Sequence, residues 1–308
     1  MITVLAGGVG AARFLRGLID VVDPATVTVI GNTADDDEFW GLHVSPDLDT
    51  VVYTLADAVD PETGWGLAGD SYACLEQAAL MGEESWFRLG DADLVTHAQR
   101  TMLLRQGRTL SEATEAIARG YGLACRLLPM SDDRVRTTVS TDGGELSFQE
   151  YFVRRQWQDE VRGLHFQGIE EARPAPGVLE AIADGEVVIV APSNPLVSIG
   201  PILAVPGVRE ALRDTAAPVV AVSPIVGGRA LKGPADRMLA SLGHEASAVG
   251  VARLYADFLN TLVLDRQDEA LAPEVESLGV RAVVTETIMR DAASRRALAE
   301  ATLKAASP

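Results

Sequence analysis

Acidic side chains are concentrated in two short stretches near the start of the chain. Positions 35–38 are all acidic, and Asp47 and Asp49 follow a few residues later. Hard cations such as Mg²⁺ take carboxylates together with phosphate oxygens. The pattern therefore predicts a magnesium site with Asp35 and Asp49 as ligands and Asp36 as a further candidate. For the last two of the four acidic positions a solvated loop is the preferred interpretation, and helix capping is the alternative for the later pair.

A glycine-rich turn precedes these aspartates and directly follows the apolar run Ile2–Ala6. Helical spacing begins after the turn. Strand, glycine turn and helix hold a phosphate well, because glycine lets the backbone approach closely and the first helical N–H groups point at the anion. We predict phosphate binding by the backbone of Gly8, Val9 and Gly10, with Arg13 as a bidentate partner. A turn that serves only strand-to-helix packing is the alternative.

The turn differs from a dinucleotide fingerprint. That fingerprint places an acidic residue about 20 positions on, at the end of the second strand, whereas here Val27–Ile30 leads to Asn32. The difference argues against NAD and against a nicotinamide-dependent oxidoreductase. A Walker phosphate loop is also absent, because no Gly-Lys-Ser/Thr follows the glycines. We count Asn32 among the candidates for contact with a nucleotide or phosphate.

Further polar groups follow two later apolar runs. Asn194 comes after one of them, and Gly227, Gly228 and Lys232 come after the other. Ligands of an open parallel sheet collect outside the carboxyl ends of its strands, so these residues are predicted to contact a nucleotide and its diphosphate. The alternative is a glycine-rich connection with solvated basic residues.

A third group of candidates lies between the two sets of strands. His97 and Arg100 are three residues apart and therefore share one helix face. Arg88 lies in the loop just before that helix. A single histidine is more often structural, but this combination favours a binding surface.

These candidates require a sheet to position them. Strands are predicted at 2–6, 27–30, 186–190, 218–223, 262–264 and 280–284. The predicted fold is α/β, a Rossmann-like mostly parallel sheet flanked by helices, with a helical plus β-hairpin insertion. We expect one domain over 1–308, with core segments 1–58 and 175–308 and the inserted segment 59–174. No strand is expected between 60 and 129, and insertions of this kind commonly form a lid or a second-substrate pocket.

Composition limits the partners. The 308 residues carry a net charge of −18 without a run of Lys or Arg, so neither nucleic acid nor membrane is expected as a partner. An anionic ligand would need local arginines or a metal ion. No apolar stretch approaches the roughly 20 residues of a membrane span. Cys74 and Cys125 lack metal-binding spacing, which favours free thiols in a reducing cytosol and a cytoplasmic protein.

Taken together, these motifs resemble the 2-phospho-L-lactate transferase family. The resemblance rests on segments that occur in the same order over almost the whole chain. They are 6–14, 32–36, 41–51, 64–66, 86–91, His97 with Arg100-Thr101, 192–195 and 223–228. One departure is Ala34, where the family more often has glycine, and this affects the expected geometry of that loop.

The resemblance implies a step in the synthesis of the deazaflavin coenzyme F-420. Family members transfer a phospholactyl or phosphoenolpyruvyl group from a guanosine diphosphate-linked donor to the ribityl hydroxyl of the deazaflavin Fo; GMP leaves and Mg²⁺ assists. The matching motifs imply that Asp49 and Arg88 contact Fo, with His97 and Arg100 beside the reacting centre. The resemblance also implies a Rossmann-like core and a homodimer. Whether the donor carries lactate, enolpyruvate or glycerate stays open.

A second class of function remains as an alternative. A related family shares the core and the N-terminal glycine turn but binds UDP-sugars and acts in regulation without catalysing transfer. The segments 86–91 and 47–50 favour the transferase.

Overall fold

A seven-stranded parallel sheet forms the centre of the protein in the computed structural model, which describes residues 1–307. The strands are, in chain order, β1 (Ile2–Ala6), β2 (Val27–Gly31), β3 (Asp37–Phe39), β4 (Leu42–Val44), β5 (Arg126–Pro129), β6 (Arg136–Thr141), β7 (Gly144–Ser147), β8 (Val161–Gln167), β9 (Val187–Val190), β10 (Val219–Val222), β11 (Ile225–Val226), β12 (Arg229–Ala230), β13 (Thr261–Asp265) and β14 (Arg281–Thr285).

The order of the central strands creates a crevice beside β1. The sheet runs β14-β13-β10-β9-β1-β2-β5, and its pairings are parallel. The chain first moves from β1 to β2 and later returns to the other side of β1 with β9. The direction of winding therefore reverses between β1 and β9, and ligands of open α/β sheets bind outside the carboxyl ends of the strands at such a point. The predicted Rossmann-like fold class is confirmed.

Helices cover both faces of the sheet. They are α1 (Gly8–Leu18), α2 (Pro46–Leu55), α3 (Ala73–Leu80), α4 (Asp93–Arg105), α5 (Leu110–Gly120), α6 (Val178–Ala183), α7 (Ile199–Ala204), α8 (Val208–Asp214), α9 (Ala235–Ser241), α10 (Ala248–Tyr255), α11 (Ala272–Ser277) and α12 (Ala292–Ala305). On one face α1 packs against α2 and α12. The other face carries the larger core, which includes α6, α7, α8 and α10.

The sequence pattern explains why the central strands are buried on both faces. Val187–Val190 and Val219–Val222 are uninterrupted apolar runs with every residue buried. Such runs are typical of parallel strands covered by helices on both sides. Neighbouring Ile189 and Val220 point to the face that α1 covers, and the alternate positions point to the opposite core.

Six strands were not predicted, namely the short strands of the pairs β3–β4 and β11–β12, together with β5 and β8. β5 pairs with β2 at the edge of the central sheet, although 60–129 was expected to lack strands. It is short, and it begins with an exposed arginine, so its apolar pattern is weak. β8 pairs with β6 in a separate three-stranded sheet, next to the predicted hairpin of β6 and β7. The sequence predicts the hairpin strands at 135–140 and 145–153, and the second of them ends earlier in the structure, at Ser147.

Two helix starts also differ from the prediction. The sequence predicts a helix over 51–58, whereas α2 begins at Pro46, five residues earlier, with Ser45 preceding it. Proline fits the first helical turn because its missing N–H has no partner there in any case. The sequence predicts a helix that opens at Ser111 with this residue as its cap, whereas α5 is capped by Thr109 in a capping box with Glu112. Among the described residues, no helix is long and apolar enough to cross a membrane.

Candidate functional site

The glycine turn after β1 is pressed against the loop that follows β9. α1 begins at Gly8, and Gly7 precedes it in an extended conformation. A Cβ on Gly7 would lie 2.7 Å from the Asp47 carboxylate, and one on Gly10 would lie 2.3 Å from the Pro192 carbonyl oxygen. Only glycine fits at these two positions. The first turn of α1 therefore lies at the reversal point of the sheet, where a phosphate can approach the N–H groups that open the helix.

The Asp47 carboxylate lies at the N-terminus of α1. It is 9% exposed and accepts a hydrogen bond from Asn32 Nδ2 at 3.0 Å. Burial, and to a lesser extent the charge of Asp36, raises the pKa of Asp47 to about 6, while Asn32 and the Gly8 N–H favour its charged form. The Asn32 amide also donates to the Val197 carbonyl oxygen, and its predicted contact with a nucleotide or phosphate stays a prediction.

Asp35 and Asp36 complete a cluster of carboxylates with Asp47. Burial raises the pKa of Asp35 well above its ordinary value, and Asp47 and Asp36 raise it further. In the described part of the chain, Asp35 Oδ1 is buried without a hydrogen-bond partner, and so is Asp36 Oδ1. The other oxygen of Asp36 accepts hydrogen bonds from Ser45 and from the His43 ring. Unpaired buried carboxylate oxygens are suited to a cation.

The donor set fits a cation that takes part of its shell from a ligand. Within residues 1–307, no three His, Cys, Asp or Glu side chains are arranged to hold a metal ion by themselves. Mg²⁺ in nucleotide sites commonly uses one or two carboxylates and completes its shell with phosphate oxygens and water. Asp35, with Asp47 beside it, matches this kind of site.

The predicted metal ligand Asp49 lies in a different environment. Its two oxygens accept hydrogen bonds from the Arg100 guanidinium, one of them at 3.1 Å, and the two side chains are 4% and 1% exposed. Burial opposes the charge of Arg100, but the charge and hydrogen bonds of Asp49 offset it and raise the pKa of Arg100. Asp49 therefore faces α4, whereas Asp47 faces α1, and in this arrangement Arg100 occupies the oxygens that a metal would need.

His97 joins Asp49 to a second buried carboxylate. Its Nδ1 lies 3.6 Å from Asp49 Oδ2, and its Nε2 lies 3.3 Å from Asp93 Oδ1. Asp93 also accepts a hydrogen bond of 2.5 Å from the Tyr53 hydroxyl. Burial, together with Asp49 and Asp93, raises the pKa of Tyr53 well above its usual range. The predicted trio of Asp49, His97 and Arg100 is thus brought together, beneath the surface and within a larger polar network.

Arg88 lies in an exposed loop beside aromatic rings. Its guanidinium carbon is 4.3 Å from the centre of the Tyr72 ring. In the same loop Phe87 stacks on Phe39, with ring centres 3.9 Å apart, and Trp86 meets Phe39 edge-on. Stacked rings next to a cation suit a flat aromatic ligand. The loop is held by Asp91, which accepts hydrogen bonds from the backbone of α3 and from Ser71.

The remaining predicted nucleotide contacts fall into two groups. In the first group, polar atoms form hydrogen bonds within the protein. Asn194 Oδ1 accepts a hydrogen bond from the Leu196 N–H at 2.9 Å, and the Gly227 N–H donates one to Asp268 at 3.0 Å. Gly228 has a left-handed φ of 75° in the same tight turn. Arg13 and Lys232, by contrast, lie together beside the first turns of α1, and each donates to a backbone carbonyl oxygen.

Two cavities flank the acidic segment. One, of about 150 Å³, lies between Asp35 and the β6–β7 hairpin and includes Arg136 and Glu145 in its lining. The other, of about 170 Å³, lies on the His43 side. Ligand pockets for nucleotide-sized molecules are roughly 300–1,000 Å³. Both cavities are smaller than this, and the first includes Asp35 in its lining.

Sequence reasoning missed several residues of this site. Asp47 was treated as a helix cap, and Asp93, Tyr53 and Ser193 were not singled out as site residues. Ser193 accepts a hydrogen bond from the Gly7 N–H at 3.3 Å. The i, i+4 spacing of Asp93 and His97 was a usable signal, because such residues lie on one helix face.

The fold and site place the protein in a defined class, the doubly wound α/β proteins with a glycine turn at the reversal point of the sheet. The model of the family described as 2-phospho-L-lactate transferase CofD matches residues 2–301, and the chain belongs to this family of transferases.

Individual relatives agree with this assignment. The chain is 46% identical to a phosphoenolpyruvate transferase of Streptomyces griseus subsp. griseus, over 99% of this chain and 98% of that protein. It is 41% identical to a 2-phospho-L-lactate transferase of Methanothermobacter thermautotrophicus, over 97% and 96%. A solved structure of a UPF0052 family member from Bacillus halodurans superposes with a TM-score of 0.67 at 16% identity, covering 98% of this chain and 99% of that one. That structural similarity concerns the fold alone.

Proposed function

We propose that this protein transfers a phosphoenolpyruvyl or 2-phospho-L-lactyl group from a guanosine diphosphate-linked donor to the ribityl hydroxyl of the deazaflavin Fo. The hydroxyl oxygen attacks the phosphorus that carries the three-carbon acid. The bond from that phosphorus to the GMP oxygen breaks, GMP leaves and the hydroxyl proton is released. Identity to the Streptomyces relative exceeds identity to the Methanothermobacter one, which supports phosphoenolpyruvate as the first donor to test.

One observation carries this proposal: the first turn of α1, the loop after β9 and the Asp35–Asp47 carboxylates meet at the reversal point of the sheet. A diphosphate needs backbone N–H groups, nearby cations and in-line placement, and the protein needs little covalent chemistry of its own. The N–H groups of Gly8, Val9 and Gly10 would hold the diphosphate, with Arg13 and Lys232 beside them.

Asp35 and Asp47 would hold Mg²⁺ together with the diphosphate. When bound, the cation neutralises charge on the transferred phosphoryl group. Asn32 orients Asp47 through its hydrogen bond of 3.0 Å, so its predicted role becomes one of positioning. We retain Asp49 as a residue of the acceptor side, where the ion pair with Arg100 fixes it.

The acceptor side rests on the loop that carries Arg88. The stacked rings of Phe39 and Phe87 and the cation above Tyr72 are suited to a planar tricycle such as the deazaflavin. His97 and Arg100, which are buried, would act by holding the Asp49 side chain in place. Asn194, Gly227 and Gly228 would shape the nucleotide side, chiefly through the backbone of their turns.

The experiment is mass analysis of the products after supplying purified protein with Fo, Mg²⁺ and each guanylylated donor in turn. We expect an Fo adduct that carries one acid and one phosphate, together with GMP, and no adduct when Mg²⁺ is chelated. Absence of an adduct with every donor, combined with tight binding of a UDP-sugar, would favour the regulatory alternative and exclude transfer.

We also propose that the protein is a homodimer. Large apolar side chains of the inserted segment are exposed, with Leu80 at 81% and Met81 at 74%, and within the described chain none of the residues of α3 is buried. Exposed apolar surface of this kind is typical of contact regions. Light scattering coupled to size exclusion should give twice the chain mass, and Leu80→Asp with Met81→Asp should give the monomer. A monomeric wild-type protein would contradict the proposal.

A further inference from the structure

Three cationic side chains from separate parts of the chain gather beside the first turns of α1. They are Arg13 of α1, Lys232 after β12 and Arg295 of α12. Among residues 1–307, none of them has a carboxylate oxygen within 4.0 Å of a charged nitrogen. Other arginines of this chain of net charge −18, such as Arg162 and Arg209, have acidic partners.

The position of Lys232 is fixed by the loop of residues 63–64. Its ammonium group donates to the Thr63 carbonyl oxygen. A Cβ on Gly64 would lie 3.4 Å from Lys232 Nζ and 2.8 Å from Val9 Cγ1. The ammonium group therefore lies next to the first turn of α1, and two of its three donor positions are free of the Thr63 contact.

Arg13 and Arg295 approach the same place from two packed helices. α12 crosses α1 so closely that a Cβ on Gly17 would lie 2.4 Å from the Arg295 carbonyl oxygen. Gly17 is one helical turn beyond Arg13. The Arg13 guanidinium donates to the Met289 carbonyl oxygen, in the loop that leads to α12. Arg295 Nε is buried and, in the part of the chain that the structure describes, has no hydrogen-bond partner.

Arg13 and each of the other two cations repel one another. Burial lowers the pKa of Arg13, and the charge of Arg295 lowers it further. Burial and the charge of Arg13 lower the pKa of Lys232 in the same way. The nearest acidic neighbour of Arg295 on its helix is Asp291, whose carboxylate accepts the Ser294 N–H as the helix cap. An arrangement of like charges with unused donors is stabilised when an anion occupies the space between them.

We propose that Arg13, Lys232 and Arg295 form an anion subsite beside the glycine turn, and that Arg295 is its contribution from the C-terminal helix. The subsite takes an anionic oxygen group of the nucleotide-linked donor, either its diphosphate or the carboxylate of the transferred acid. The identity of the donor rests on the proposed function. The existence of the subsite does not depend on the proposed function, because pyrophosphate is expected to bind there as well.

The experiment is calorimetric titration of the full-length protein with GDP, pyrophosphate and the complete guanylylated donor. Arg295→Gln removes the charge at similar length, Arg295→Lys keeps it, and Arg296→Gln is the matched control on the adjacent, exposed position. Because a hydrogen bond between charged groups is lost, we expect Arg295→Gln to weaken GDP and pyrophosphate binding by about tenfold or more. Arg295→Lys should restore part of the affinity, and Arg296→Gln should stay within about twofold of the wild type.

The pattern of losses identifies the occupant. Equal losses for GDP and for the complete donor place the diphosphate in the subsite, whereas a loss confined to the complete donor places the carboxylate there. Unchanged affinity of Arg295→Gln for all three probes would overturn the subsite, as would an equal loss in Arg296→Gln or a wild-type protein that binds none of the probes. If Arg295→Gln weakens pyrophosphate binding but no donor yields an Fo adduct, the subsite stands and the proposed function fails.

Discussion

Asp49 and Arg100 form an ion pair that is almost closed to water, with exposed fractions of 4% and 1%. Removing one member of such a pair leaves the other charge buried without compensation, which costs about 3–5 kcal/mol. We predict that Asp49→Asn lowers the free energy of unfolding by this amount at pH 7. The guanidinium left behind has no route to a neutral form, because arginine stays protonated in proteins.

Removal of the arginine should lower the free energy of unfolding less than removal of the aspartate. In Arg100→Met the abandoned carboxylate can neutralise itself by taking up a proton, and the His97 ring remains 3.6 Å away. The double variant Asp49→Asn/Arg100→Met leaves no unpaired charge of this pair. We expect the double variant to lose about 2 kcal/mol less unfolding free energy than the two single variants lose in sum, since contacting residues are strongly coupled.

Urea unfolding, followed by tryptophan fluorescence and far-UV circular dichroism, measures all three variants. Arg209→Met is the control, because it breaks a half-exposed ion pair with Asp257 and should cost no more than about 1 kcal/mol. The reasoning is refuted if Asp49→Asn is as stable as the wild type, or if the single losses add within about 0.5 kcal/mol. Activity of Asp49 variants has meaning only after correction for the folded fraction.

Arg88→Ala should weaken Fo binding, measured by Fo fluorescence, more than GDP binding, and Arg119→Ala should change neither; equal losses for both ligands would contradict the assignment of Arg88. Burial raises the pKa of Asp47 to about 6 and also raises that of Asp35, so the folded state keeps protons that the unfolded chain has released. The free energy of unfolding without metal should therefore fall as pH rises from about 4 to about 6. Mg²⁺ should raise the unfolding temperature more at pH 7.5 than at pH 5. Equal increases at the two pH values would contradict Asp35 and Asp47 as metal ligands. Cys74 is exposed, whereas Cys125 is buried, and burial raises the pKa of the Cys125 thiol to about 11. A disulfide reagent should therefore modify one thiol in the native protein and two after unfolding.

Much of the fold follows from local sequence. The predicted apolar runs formed the six strands β1, β2, β9, β10, β13 and β14, because apolar and β-branched runs of this length fit a sheet buried on both faces. β5 escaped prediction because an edge strand of four residues carries too little apolar pattern. Whether such a segment joins the sheet is decided by the free edge of β2, and this is a tertiary contact.

The residue types of the site were also legible. The glycine turn at the start of α1 and the placement of His97 and Arg100 on one helix were predicted and are found. Asp47 and Asp49, by contrast, lie inside α2 and not in a turn before it. The predicted nucleotide contacts of Asn32 and Asn194 stay predictions, and in the structure the amide oxygens of both residues accept hydrogen bonds within the protein's own turns. A polar residue at a strand end has the same sequence signature in either role.

The sequence alone determined which residue types stand at the carboxyl ends of the strands, because strand patterns and turn glycines are local properties. Only the tertiary structure decided which aspartate meets the glycine turn. Asp47 and Asp49 are two residues apart in α2, and an α-helix turns by about 200° over that distance, so the two carboxylates point in nearly opposite directions. The packing of α2 on α1 and the sheet sets the rotation of α2 about its axis. This rotation directs Asp47 toward α1 and Asp49 toward Arg100.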